Sequence, residues 1–169
     1  MRSCRSENGA RICHWFLLAG GKSARSPMTK RCFPDVNVWF ALAVADHPHH
    51  RPALEWWEAE DSVVGFSRLT QLGFLRLLTT ASAMGGRPLT NAEAWGAYAE
   101  LLADSRVRFF PEPATLDDQF GSYSQLNQAA PKVWVDAYLA AFASSNQAVL
   151  VTFDQAFTRY EVECHILSA

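Results

Sequence analysis

The ten residues AVLVTFDQAF, 148–157, decide how this chain folds. Val149 to Phe153 is a short, mostly β-branched apolar run without helical spacing, which predicts a buried strand, and the run ends on Asp154. A similar placement occurs twice more. FPDVNVWFALA, 33–43, sets Asp35 between a short strand at Cys32–Phe33 and helical apolar spacing over Val36 to Ala45. KVWVDAYLAAFA, 132–143, sets Asp136 in the first turn of a helix, Val133 to Ser144, that is apolar nearly all round. An ionised carboxylate beside so much apolar surface is unfavourable unless compensated, and three on adjacent elements repel one another unless a cation lies between them. The chain therefore reads as a metal-dependent enzyme.

Between these anchors, strand-like and helix-like segments alternate. Pro34 is an awkward strand occupant because it donates no ladder bond. His50 to Glu60 predicts a helix, Ser62 to Phe66 a buried strand, and Thr70 to Leu78 a further helix, with a loop over Thr79 to Pro88. Thr90 and Glu93 have capping-box spacing at the start of a helix running to Ala103, which makes Glu93 a cap rather than a catalyst. Val107 to Phe110 predicts a strand and Thr115 to Gln128 a helix, with a similar cap offered by Thr115 and Asp118. A short turn or helix follows Asp154 through Phe157, and Cys164 to Leu167 suits a last strand. Strands separated by helices imply an α/β fold with a mainly parallel central sheet between helical layers.

The 169 residues suit one domain, and 49% hydrophobic residues with six Trp and eleven Phe supply ample core. A net charge of −2 argues against binding nucleic acid through overall positive charge and leaves a local basic patch as the means. Cysteines 4, 13, 32 and 164 form no CxxC pair, which points to unpaired thiols in a reduced, cytoplasmic setting. Residues 1–30 are Ser/Arg/Gly-rich and read as a poorly structured extension before a domain at 31–169, with Met28 the better start. The apolar run Ile12 to Ala19 is too short to cross a bilayer and makes only a weak secretion signal. GlyLysSer at 21–23 lacks the earlier Gly of a phosphate loop, since position 16 is Phe.

In open α/β sheets the ligand crevice lies beyond the carboxyl ends of the strands, where Asp35 and Asp154 fall. Asp136, at a helix start, gains amide bonds and the positive end of the dipole. Singly, each aspartate also suits an ordinary cap or turn; together they suit a hard divalent cation, which prefers carboxylate and water oxygens.

The order and spacing of DVNVWFALA, HPHH, TQLGFLRLL, VDAYLAAFA and VLVTFDQAF resemble PIN-domain ribonucleases of the VapC toxin type over Arg31 to Ala169. That resemblance implies a PIN-like three-layer α/β/α sandwich and endoribonuclease activity with Mg²⁺ or Mn²⁺ held by Asp35, Asp136 and Asp154. It further implies products with a 5′-phosphate and a 3′-hydroxyl, an RNA substrate, a cognate small antitoxin and a homodimer; a short reading frame immediately upstream of Met28, encoding a small DNA-binding protein, is the genomic observation that would test it. One departure stands out: the Glu most PIN domains carry early in the helix after the second strand is missing, and the equivalent position is Gly73. Gln71 or a water would fill that space.

Around this core, Asn37 is placed to hydrogen-bond a carboxylate or phosphate oxygen, and Thr152 to orient Asp154. Arg68, Arg76 and Lys132 are candidates for phosphate contact, Arg76 foremost, one turn beyond Gly73. His47, His49 and His50 lack the spacing of a zinc site. Trp56, Trp57, Trp95 and Trp134 suit a core or protein-binding surface better than base stacking. Two rivals follow: a phosphatase or receiver-like aspartyl phosphotransfer domain, disfavoured by Asn37 and the lack of a late strand-end Lys, and a PIN-fold binding module without catalysis, motivated by the missing Glu.

Overall fold

The structure, a computed structural model, describes residues 30–168. The expectations for the N-terminal extension, including the start at Met28, lie outside the described residues. Five parallel strands form one sheet: β1 (Arg31–Pro34), β2 (Val63–Phe66), β3 (Val107–Phe109), β4 (Val149–Thr152) and β5 (Cys164–Ile166), in the order β3-β2-β1-β4-β5. The helices are α1 (Val36–Ala43), α2 (His50–Ala59), α3 (Arg68–Leu78), α4 (Asn91–Ala103), α5 (Leu116–Ser124) and α6 (Val133–Ser145), with a short 3₁₀ helix at Gln155–Arg159.

Strand alternation divides the core into two layers. Cys32, Val64, Phe66, Val149 and Val151 face α1 to α4, where Trp39 stacks on Phe66 at 3.8 Å and meets Trp57 edge-on at 6.1 Å. Phe33 and Leu150 face α6, where Phe142 lies 4.7 Å from Phe33, and Phe110, just past β3, joins the same core. Helices thus cover both faces of a parallel sheet, as buried, continuously apolar strands require. At Gly65 in β2 an added Cβ would stand 2.2 Å from the Phe110 ring, so only glycine lets that ring lie across the strand.

Pro34 belongs to β1 after all, paired with Val151. Asp35 donates the next bond, to the Val151 carbonyl at 2.9 Å. Because successive N–H groups along a strand point to opposite sides, the donor Pro34 lacks would face β2, whose pairing with β1 already stops at Cys32. Other boundaries shift for local reasons. The helix predicted over Thr115 to Gln128 ends at Ser124, and Thr115 has helical backbone with no side-chain cap bond. At α3 an unanticipated capping box forms: Thr70 N donates to Ser67 Oγ (3.2 Å) and Ser67 N to Thr70 Oγ1 (2.9 Å). The Thr90–Glu93 box at α4 forms as read.

One buried ion pair ties α2 to the approach into β3. Arg106 donates through Nε and Nη2 to both oxygens of Asp104 (3.0 and 2.8 Å) and through Nη1 to the carbonyls of Trp57 (3.0 Å) and Glu60, with its guanidinium 4.0 Å from the Trp57 ring centroid. Burial pushes the Asp104 carboxyl up, but the bonds and charge of Arg106 outweigh it and hold the carboxyl below its ordinary value. A carboxyl depressed on folding stabilises fully above its unfolded value, about pH 4, and that contribution is lost as pH falls through the folded value. Arg106→Gln should therefore lower unfolding free energy by about 3 kcal/mol at pH 7 and by less at pH 3, read by urea titration; equal losses at both pH values would contradict this.

Candidate active site

The sheet order sets the site. From β1 the chain moves to β2 on one side, while β4 and β5 extend on the other, so the switch point of the fold lies between β1 and β4. Asp35 and Asp154 follow the carboxyl ends of those two strands.

Asp35 is 3% exposed and caps α1. Its Oδ1 accepts from Val38 N at 2.9 Å and its Oδ2 from the Thr152 hydroxyl at 2.5 Å. The same Thr152 oxygen accepts the amide of Asp154 at 3.0 Å, so one buried hydroxyl ties the two strand-end aspartates together. Burial pushes the Asp35 carboxyl above its ordinary value; the bonds from Thr152, Val38 and Asn37 pull it back only in part, and the charge of Asp154 adds to the rise. No basic side chain among the described residues bonds to it.

Asp154 is exposed and caps the 3₁₀ helix, its Oδ1 accepting from Ala156 N at 2.8 Å. Asp136, in the first turn of α6, faces it and accepts from Arg159 Nη2 at 2.9 Å. Burial raises the Asp136 carboxyl, Arg159 opposes the rise, and Asp154 reinforces it. All three aspartates line one cleft of about 520 Å³, with Asn37, Leu72, Gly73, Arg76 and Val135 among its walls.

As arranged here, no group of three or more His, Cys, Asp or Glu side chains among the described residues is placed to hold a metal ion by itself. Asp136 is drawn to Arg159, and Asp154 to the 3₁₀ amide. The donor set nevertheless fits a hard cation: it is all oxygen and includes a buried carboxylate without a cationic partner. Mg²⁺ keeps several waters and takes one or two carboxylates directly, so a closed cage is not required.

Of the supporting residues expected from sequence, Asn37 and Arg76 line the cleft and Thr152 lies beneath it. Gln71 does not fill the space of the missing Glu. It is buried, accepts a hydrogen bond from Arg68 and interacts with Tyr98. Arg68 lies 4.8 Å from the Phe109 ring, and Lys132 precedes α6; neither is on the cleft wall. His49 stacks on Phe153 at 4.6 Å, and His50 Nδ1 lies 2.7 Å from the Ala41 carbonyl. Trp56 and Trp57 are core, whereas Trp95 and Trp134 are more than half exposed.

Two features were not anticipated. Arg159 reaches back from the 3₁₀ helix to Asp136, and nothing in the local sequence distinguishes it from a solvated arginine. Gly73 packs so close to α1 that an added Cβ would stand 2.6 Å from Val36 Cγ2. A carboxylate at 73 has no room while Val36 keeps its position.

The PIN domain family matches residues 32–163. The chain is 46% identical over 132 residues to Ribonuclease VapC41 of Mycobacterium tuberculosis, covering 75% of this chain and 90% of that protein. It is 32% identical over 131 residues to Ribonuclease VapC37 of the same organism, again covering 75% and 90%. Among solved structures, M. tuberculosis VapC20, described as a Sarcin-Ricin loop cleaving toxin, superposes with a TM-score of 0.57 at 22% identity over 78% of this chain and 95% of that one. The Rickettsia felis VapBC2 structure, bound to a DNA fragment from its promoter, gives 0.59 at 14% identity over 82% and 99%. The parallel sheet, the two helical layers and these matches agree: the chain belongs to the PIN-domain family and is similar to the VapC ribonucleases.

Proposed function

We propose that the chain is a divalent-cation-dependent endoribonuclease acting as the toxin of a toxin–antitoxin pair. The observation that carries this reading is the Thr152 hydroxyl joining Asp35 to Asp154 at the strand ends, with Asp136 across the same cleft. Similarity to curated ribonucleases supports the activity.

Asp35, Asp136 and Asp154 would hold Mg²⁺ or Mn²⁺. When bound, such an ion polarises a phosphate oxygen and lowers the pKa of a water. Thr152 fixes the direction of the Asp35 carboxylate, and the α1 amides satisfy its other oxygen. Arg76 at the cleft wall offers forked donors to a phosphate, and Asn37 a further hydrogen bond. The reaction is hydrolysis: water adds to phosphorus and the bond to O3′ breaks, leaving a 5′-phosphate and a 3′-hydroxyl.

Leu72 and Val135, 57% and 51% exposed, give the acidic cleft an apolar rim suited to the tail of an antitoxin. With Trp134 and Trp95 they also supply surface for a homodimer. No helix among the described residues is long and apolar enough to cross a membrane, and the free Cys32 and Cys164 agree with a cytoplasmic setting. A second reading, a PIN fold that binds without cutting, draws on the crowding at Gly73.

Asp35→Asn separates the two. An acid whose pKa is raised on folding lowers stability when ionised, so at pH 7 in EDTA the neutral isostere should unfold at a higher temperature than the parent. It should also lose Mg²⁺-dependent cleavage of total RNA by at least about a hundredfold. Retained cleavage would contradict the nuclease reading, and a lower Tm would contradict the account of Asp35. For Gly73→Glu, steric overlap should lower Tm by several degrees, and Val36→Ala in the same chain should restore most of the loss; an unaffected single variant would show that α1 and α3 are less tightly apposed than described.

A further inference from the structure

We infer that Arg159 takes the electrostatic place of a second cation, so that the cleft holds a single divalent ion with the guanidinium as its built-in companion charge. This rests on reading the cleft as a divalent-ion site, and it goes further by assigning a role to a residue outside the acidic trio.

Three observations converge. First, the cleft has no carboxylate at Gly73, where an added Cβ would stand 2.6 Å from Val36 Cγ2, so none fits there while Val36 keeps its position. Second, Asp136 already has a positive partner in Arg159, whose Nη2 donates to it at 2.9 Å. Third, Asp35, the most buried of the aspartates, has none. Arg76 also lines the cleft but bonds to none of the three aspartates, so among the described residues Asp136 alone of the three has a bonded cation.

Arg159 is anchored where a fixed charge would need to be. Its Nη2 also donates to the Tyr160 hydroxyl at 2.8 Å, and its guanidinium lies 4.8 Å from the Tyr160 ring centroid. The side chain is 47% exposed and also lines a neighbouring cleft of about 380 Å³ formed with Tyr123, Leu126 and Val133. From that position the guanidinium neutralises part of the acidic cluster, and it competes with any ion that draws Asp136 inward. It is a positioning residue acting through Asp136.

The test is calorimetric titration of the EDTA-stripped full chain with Mn²⁺ alone, comparing the parent with Arg159→Gln, Arg159→Met and Arg159→Lys. Met keeps a stem to cover the Tyr160 ring, and equal melting curves in EDTA verify that each variant folds. The expected result is one Mn²⁺ per parent chain. Removing the competing charge should tighten Mn²⁺ binding roughly three- to tenfold in the Gln and Met variants, and Lys should stay within about twofold of the parent. Two comparable Mn²⁺ ions per parent chain would overturn the inference, as would unchanged or weaker binding in both neutral variants; either leaves the nuclease reading intact. Absence of Mn²⁺ binding by every form would overturn the inference and the metal-dependent reading together.

Discussion

A carboxylate buried without a cation at the centre of a parallel sheet is the constraint on which the rest of this site depends. Asp35 follows the middle strand, is almost wholly removed from water, and is held only by neutral donors, the Thr152 hydroxyl and the first amides of α1. Those donors orient the charge, but burial still keeps its pKa above the ordinary range. A fold built only for stability has better residues to place there. The arrangement fits a group whose energetic compensation arrives from outside, and on the reading proposed above Asp154 and Asp136 would supply further oxygens.

The sheet explains why these residues meet despite their separation in the chain. With the order β3-β2-β1-β4-β5, the first and fourth strands are neighbours, and the connections leave them in opposite directions. Thr152 completes the junction because, two residues before Asp154, its side chain reaches Asp35 while its oxygen takes the Asp154 amide. A β-branched strand residue thus serves both the ladder and the site.

Much of this was legible in the sequence. Short apolar runs ending on aspartate, separated by helical spacing, dictate parallel strands with acidic residues at their carboxyl ends; Thr152 and Asn37 follow from their offsets to those aspartates, and Arg76 from its place one turn beyond Gly73. What was not legible depends on direction around a helix or on distance between elements. On a helix advancing about 100° per residue, Gln71 lies about 160° around the axis from Gly73, so the polar residue expected to replace the missing Glu turns away from the cleft. Arg68 is diverted by the exposed Phe109 ring, a contact between α3 and β3 that spacing cannot show. Gly73 looks in sequence like a weak point in a helix; its reason is Val36 on another helix. Arg159 becomes meaningful only once the 3₁₀ turn swings it back over α6.

The central claim, that Asp35, Asp136 and Asp154 share one ion, is tested most directly by anomalous diffraction from a crystal of the chain soaked in Mn²⁺. The account predicts a single anomalous peak in the cleft within coordination distance, about 2.0–2.3 Å, of at least two of the three carboxylates, with water filling the other positions. A well-diffracting crystal with no peak there, or with its manganese held by other residues, would contradict it.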